Sequence, residues 1–141
     1  MDASGYAAWA AAATSLTTLL VTTLVGGRRE KHKWAREALT DAFVAFLAAS
    51  WKHSDIARGQ TPGEADSAAS LSTQYIEMRS QLTRLRLLST NEVLTAGEAL
   101  LRLHRTVQDA PTPEELGRAL SAASEGRRVV VAAAKKEMGL G

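Results

Sequence analysis

Histidines are the first side chains in this sequence to consider for metal binding or acid–base chemistry. The chain has three, His32, His53 and His104. No two of them have the i, i+4 spacing that places both ligands on one helix face, and the H-E-x-x-H pattern is absent. His53 and His104 fall on predicted apolar helix faces, where a hydrogen-bonded core histidine is the commoner role. We therefore predict no metal site.

Carboxylate pairs are the second candidates for acid–base work. Glu37 and Asp41 lie one helical turn apart on a face already rich in charge, which favours solvated side chains. Glu114 and Glu115 fall in the first turn of a predicted helix, where negative charge complements the helix dipole. Neither pair predicts a catalytic site.

The sequence also lacks the motifs of catalytic nucleophiles and of phosphate-binding loops. The chain has no cysteine, which excludes disulfides, thiolate metal sites and cysteine nucleophiles. It has no G-x-S-x-G motif, and the Gly26–Gly27 pair is followed by arginines rather than by G-K-[ST]. We predict no catalytic residue and no cofactor.

A basic cluster directly after Gly27 is the strongest functional signal. Its members are Arg28, Arg29, Lys31, Lys33 and Arg36. Glu30 is the one acidic residue among them. Basic residues next to anionic lipid headgroups contribute about 1 kcal/mol each. The alternative is a topology determinant with no further role, and both interpretations require a membrane.

The segment before this cluster, Tyr6 to Val25, contains no charged residue. A helix of this length spans about 30 Å, the thickness of the hydrocarbon core of a bilayer. Tyr6, Trp9 and Trp34 are candidates for aromatic anchors at the two interfaces, although Trp34 is equally compatible with core packing. The positive-inside rule then predicts an N-terminus outside and a C-terminal domain in the cytoplasm, at the plasma membrane. A cleaved signal peptide is not expected, because the first residues, MDASGY, offer no basic region.

The alternative for the same segment is a core helix of a fully soluble bundle, since Ala, Thr and Ser are abundant in it. A surface helix should carry charges opposite its apolar stripe, and this segment has no polar face. That absence favours the span. The domain boundaries that follow are a transmembrane segment at 1–27 and a cytoplasmic helical domain at 28–141.

The remainder of the chain is Ala- and Leu-rich with few aromatic residues, a composition typical of helices. Apolar or small residues recur every three or four positions, as on the buried face of packed helices. The first stripe is Ala35, Leu39, Ala42, Phe46, Ala49, His53 and Ile56, widened by Phe43 and Leu47. The second is Leu71, Tyr75, Met78, Leu82 and Leu85. The third is Val93, Gly97, Leu100, His104 and Val107. The last is Leu116, Leu120, Ala123, Arg127, Val130, Ala134 and Met138, in which Gly126 and Arg127 interrupt the apolar pattern.

Helix ends are predicted from local motifs. Gly59 is placed to follow a helix that ends near Arg58. TPGE at Thr61, STNE at Ser89 and TPEE at Thr112 each have the spacing of a helix start, with a capping hydroxyl and a glutamate three residues later. We expect the Gly26–Gly27 pair either to continue the first helix or to form a hinge.

The charge pattern argues against a nucleic-acid partner. The formal net charge is only +2. The arginines of RLRLL (84–88) and LLRLHR (100–105) alternate with leucines, as on the solvated side of an amphipathic helix. A nucleic-acid surface would instead place them on one face with aromatic platforms.

Two stretches carry a resemblance, GGRREKHKWAREALTDAFVAFLAASWKH at 26–53 and LRLLSTNEVLTAGEALLRLH at 85–104. They resemble small, mostly uncharacterised single-pass membrane proteins of high-GC Gram-positive bacteria. The resemblance covers about half of the chain and implies a short N-terminal span, a basic junction and a helical cytoplasmic domain. It implies no activity and no site residue.

Together these patterns predict an all-α protein, with an N-terminal transmembrane helix followed by an antiparallel bundle of about four helices. The expected role is non-catalytic, a membrane-anchored helical interaction protein. Its expected partners are the anionic lipids of the inner face and either a second copy or another helical protein. The alternative is a fully soluble helical bundle that acts as an oligomeric binding module.

Overall fold

The computed structural model describes the backbone of residues 3–59 and 65–140 and the side chains of residues 30–59 and 66–140. This part of the chain contains four helices and no strand, which confirms the all-α prediction. The helices are α1 (Ala3–Arg58), α2 (Ala65–Leu88), α3 (Asn91–Asp109) and α4 (Pro113–Glu137). The chain divides into two compact units, Met1–Glu37 and Ala38–Gly141.

The backbone of the N-terminal segment is helical from Ala3 onward. Gly26 and Gly27 lie inside α1, so the backbone continues as helix rather than forming a hinge. No helix in the described part of the chain is both long enough and apolar enough to cross a membrane. The side chains of the predicted span, Tyr6 to Val25, lie outside the described residues, and those of Tyr6 and Trp9 lie outside with them.

The second unit is an antiparallel helical bundle. The start of α3 meets the end of α4, where the ammonium of Lys136 lies 3.2 Å from a carboxylate oxygen of Glu92. The start of α3 is likewise joined to the end of α2 by a turn of two residues, Ser89 and Thr90. The Thr40 hydroxyl approaches the Met138 sulfur at 3.9 Å, which places the early part of this unit beside the end of α4. Neighbouring helices therefore run in opposite directions, as short connections favour.

The core of the bundle follows the predicted stripes closely. All five predicted positions of α3 are buried, and so are Leu71, Met78, Leu82 and Leu85 of α2. Phe46, Met78, Leu85 and Leu100 are the largest fully buried apolar side chains. The match arises because burial of one face per helix is what drives the helices together, so the apolar period marks that face directly.

Helix ends agree less uniformly with the predicted motifs. α1 ends at Arg58, as expected, and the Gly59 amide donates to the Asp55 carbonyl. At α4 the Thr112 hydroxyl accepts from the Glu115 amide at 3.2 Å, which confirms the predicted cap.

The motif before α3 was assigned one residue too early. Thr90 rather than Ser89 is the N-cap residue, and its side chain makes no capping hydrogen bond. The Ser89 hydroxyl instead donates back to the Leu85 carbonyl at the end of α2. The motif at Thr61 lies outside the described residues.

Candidate functional site

Five polar side chains are buried at the centre of the bundle, where apolar packing would be expected. They are Ser50, His53, Ser54, His104 and Arg127. We call this set the buried polar network. α1 contributes two serines and a histidine on consecutive turns, while α3 and α4 contribute one residue each, so closure of the bundle brings all five together. Because buried polar groups are costly without hydrogen bonds, their partners decide what the network can do.

The network is a chain of short hydrogen bonds. The Arg127 guanidinium donates through Nη1 to the Ser54 hydroxyl at 2.8 Å and to the Ser50 hydroxyl at 3.2 Å. Ser50 Oγ lies 2.6 Å from Nε2 of His104. His104 Nδ1 lies 2.8 Å from His53 Nδ1, and the two rings meet edge to face with centroids 4.5 Å apart.

Two donor–acceptor orders satisfy these contacts, because a hydroxyl that accepts from Arg127 can still either donate or accept one more hydrogen bond. In the first order Ser50 donates to His104 Nε2, and His104 carries its proton on Nδ1 and donates it to His53 Nδ1. In the second order His53 donates to His104, and His104 donates to Ser50. In both orders His53 Nε2 is buried without a hydrogen-bond partner, as is Gln108 Oε1.

Both histidines are held in the neutral form. Burial, the neighbouring His53 and the charge of Arg127 lower the pKa of His104 to about 3. Burial also lowers the pKa of His53; the Gln108 carboxamide opposes this shift and the charge of Arg127 adds to it. Burial lowers the pKa of Arg127 as well, with Arg58 adding to the effect and Asp55 opposing it. The contact between the two Nδ1 atoms agrees with this, because only one of the two nitrogens can carry a proton in a shared hydrogen bond.

The order Ser50–His104–His53 has the connectivity of a nucleophile, a base and a group that orients the base. All three side chains are fully buried. A substrate would have to open the bundle to reach the serine, so the geometry favours a structural network that fixes how the helices are aligned.

The core role predicted for His53 and His104 is confirmed, since both are fully buried and hydrogen-bonded. No group of three or more potential metal ligands occurs within the described ranges. His32 is exposed and lies in the first unit, away in sequence from this pair. The histidines thus divide into one surface residue and one buried pair.

The predicted membrane-junction residues lie on the surface of α1 as far as they are described. Lys31, Lys33 and Arg36 are exposed, and the Lys33 ammonium lies 4.0 Å from a Glu37 carboxylate oxygen. Trp34 is 66% exposed, so the core-packing alternative for it is wrong. The side chains of Arg28 and Arg29 lie outside the described residues.

Arg127 is the network member whose role sequence reasoning missed. The sequence identified Arg127, with Gly126, only as an interruption of the last apolar stripe. In the structure Arg127 is 3% exposed, and Gly126 packs against α3 so closely that a Cβ there would lie 2.8 Å from Leu103 Cδ1. The one local signal for its role is an arginine on an otherwise apolar stripe, and its partners on α1 and α3 are apparent only in the folded bundle.

No protein family model, curated protein or solved structure matches the chain. The resemblance to small membrane proteins therefore stays a prediction.

Proposed function

We propose that this protein is a non-catalytic helical interaction module tethered to the cytoplasmic face of the plasma membrane by its N-terminal segment. The observation that carries the proposal is the exposed junction on α1, where Trp34 is 66% exposed among the basic residues Lys31 and Lys33. An exposed tryptophan is costly in water but favourable at the headgroup level of a bilayer, where basic side chains also meet anionic lipids.

The uncharged run that precedes the junction supports the same proposal. Tyr6 to Val25 is long enough to cross the hydrocarbon core, and its polar atoms are mostly hydroxyls, which can bond back to a carbonyl one turn earlier. The basic residues follow directly, as expected for the cytoplasmic end of a span. Under this proposal the tether confines the bundle to the membrane surface and raises its effective concentration there.

The non-catalytic part of the proposal rests on the bundle itself. The nucleophile and base candidates, Ser50 and His104, are fully buried. What remains accessible is a set of helix surfaces, and amphipathic helices recognise partners through such surfaces. A second copy of the chain or another helical protein is the kind of partner that fits.

Membrane fractionation tests the tether. The full chain and a chain starting at Arg28 are expressed side by side, and each membrane pellet is washed with high salt and then with alkaline carbonate. We expect only the full chain to remain in the washed pellet. Release of the full chain by salt alone would contradict a span and leave only electrostatic attachment. A full chain that never enters the pellet would contradict the tether altogether.

One observation favours the second candidate, a soluble oligomeric binding module. Ile76 is 62% exposed and lines a groove between α1 and α2, whose α1 side is formed by three alanines, Ala45, Ala48 and Ala49, and by Lys52. The small side chains would allow another helix to approach closely and to cover Ile76. Light scattering of the full chain without detergent tests this candidate: a stable dimer in solution would support it over the membrane tether.

A further inference from the structure

A groove between α1 and α4 lies beside the buried polar network. It has a volume of about 490 Å³. Its apolar wall includes Leu47 and Val131, and Trp51 lies at its edge with 51% of its surface exposed. Three cations, Arg127, Arg128 and Lys135, also line it, and no carboxylate does so among the residues that the structure describes. A concave site with apolar walls and a few convergent charges is typical of small-molecule binding.

Arg127 is a buried cation without a counter-ion. It is 3% exposed, and its hydrogen-bond partners are the hydroxyls of Ser50 and Ser54. Neutral hydroxyls do not balance a charge, and within the described part of the chain no carboxylate lies at ion-pair distance from this guanidinium. Asp55 favours its charged form from farther away but forms an ion pair with Arg58, 3.3 Å away. Buried charges in proteins are normally paired, because an unpaired one carries the full cost of losing its water. The missing partner is therefore an anion.

The part of the Arg127 guanidinium that has no hydrogen-bond partner indicates what kind of anion fits. Both serines bond to Nη1, while Nε and Nη2 are buried and have no partner. These two nitrogens share one edge of the planar guanidinium, and their N–H groups point in parallel. This edge matches the two oxygens of a carboxylate, which accept two parallel hydrogen bonds from it.

Trp51 covers the face of the same guanidinium. The Arg127 carbon Cζ lies 4.2 Å from the centre of the Trp51 ring. Stacking over the face leaves the edge available for hydrogen bonds in the guanidinium plane. Because the indole is half-exposed, lines the groove and stacks on this guanidinium, its fluorescence would report a ligand that binds there.

We propose that this groove binds a small carboxylate carried on an apolar body, with the carboxylate on the Nε–Nη2 edge of Arg127 and the body against Leu47 and Val131. Lys135 adds positive charge to the groove lining, which contains no acidic residue among those that the structure describes. Arg128 is already engaged, since it lies 3.2 Å from a carboxylate oxygen of Glu125. The site belongs to the bundle and does not depend on whether the chain is tethered to a membrane.

Fluorescence titration of the full chain in nanodiscs of zwitterionic lipid tests the site. Trp9→Phe and Trp34→Phe leave Trp51 as the single tryptophan of three. The probes are phenylbutyrate, the uncharged phenylbutanol and acetate, which has the head without the body, and empty nanodiscs serve as the blank. We expect a saturable change of Trp51 fluorescence with phenylbutyrate. Phenylbutanol and acetate should bind at least about tenfold more weakly, because phenylbutanol has no carboxylate for the charged hydrogen bonds and acetate has no apolar body to bury.

Arg127→Met removes the charge, and Arg127→Lys keeps the charge but loses the two-donor edge. Both are expected to weaken phenylbutyrate binding by about tenfold or more, whereas Arg118→Met, at an exposed position of α4 outside the groove lining, should leave it unchanged. If circular dichroism shows that Arg127→Met does not fold, the test rests on Arg127→Lys and on the comparison of the three probes with Arg127 in place. Equal binding of phenylbutyrate and phenylbutanol, or undiminished binding to Arg127→Lys, would overturn the proposal.

Discussion

At the scale of single residues, the centre of this bundle is organised by hydrogen bonds rather than by apolar contact alone. Arg127 donates to Ser50, and hydrogen bonds continue from Ser50 to His104 and from His104 to His53. Sliding one of these helices by one residue would break the links that it makes to its neighbours. The network therefore favours one register of α1, α3 and α4, at the cost of burying a charge and two titratable rings.

The pH dependence of stability should report the histidine pair. Folding lowers the pKa of His104 from 6.5 to about 3, so in this interval the unfolded chain binds a proton that the native chain refuses. Protons then favour unfolding: the bundle has its full stability above pH 6.5 and loses it as the pH falls toward 3. The loss approaches about 1.4 kcal/mol per pH unit for one such group.

Urea unfolding of the chain starting at Arg28, repeated across this interval, measures the slope. His104→Gln should flatten it, whereas His32→Gln, which changes an exposed histidine, should leave it as it is. An unaltered slope in the His104 variant would show that other groups cause the acid sensitivity.

Two glycines of α4 offer a matched test of packing. An added Cβ at Gly117 would meet no heavy atom within 4 Å, whereas at Gly126 it would lie 2.8 Å from Leu103 Cδ1 and 3.1 Å from Leu100 Cδ1. Gly117→Ala should stabilise the protein by about 1 kcal/mol through helix propensity. Gly126→Ala should destabilise it by roughly 1–2 kcal/mol, because overpacking exceeds that gain. The shift of the urea midpoint gives each change in free energy, provided that the dependence of that free energy on urea concentration is unchanged. Equal stabilisation by the two variants would contradict the close packing of α3 and α4.

At the scale of the elements, the sequence predicts which segments are helices and which faces of them are buried. It predicts the helix ends only where a local capping motif determines them. The stripe from Val93 to Val107 is buried at every predicted position, because periodic burial is a property of the whole helix. The cap at Thr112 was also correct, since Pro113 and Glu115 reinforce it. The start of α3 was placed one residue early because Ser89 and Thr90 both offer a hydroxyl, and tertiary contact decides between them: the Thr90 amide donates to Glu137 Oε1 of α4 at 2.9 Å.

The buried network, in contrast, could be anticipated only in its histidines. Their positions on apolar stripes marked them as core residues. Ser50, Ser54 and Arg127 are placed by how three separate helices meet, and no local pattern encodes that meeting. Single-sequence reasoning therefore recovers the elements and the faces but not the polar contacts between them.

The two N-cap threonines provide a test at this scale. The Thr112 hydroxyl caps α4, while the Thr90 hydroxyl makes no capping bond at α3. Thr112→Ala should lower the free energy of unfolding by about 1 kcal/mol, and Thr90→Ala by only a few tenths. Thermal and urea unfolding of the two variants measure the difference. Equal losses would mean that the hydroxyl of Thr112 contributes nothing specific to the end of α4.

At the scale of the whole molecule, the proposal joins two parts with different tasks. The bundle from Ala38 onward is a compact unit with its own core, and the N-terminal unit supplies the uncharged segment and the basic junction. In the proposed arrangement the first holds the interaction surfaces and the second sets where they operate. Trp34 contributes no buried surface to the bundle, and in the proposed arrangement its side chain would lie among lipid headgroups.

The most direct measurement of this central claim is single-cysteine labelling, which the absence of native cysteine makes possible. Ser4→Cys marks the N-terminal side of the predicted span, and Ser121→Cys marks an exposed position of α4. A membrane-impermeant maleimide is applied to intact cells and, separately, to lysed cells. We predict that the cysteine at position 4 reacts in intact cells and that the one at position 121 reacts only after lysis. If both cysteines react only after lysis, the chain does not cross the membrane with its N-terminus outside, and the proposed tether is wrong.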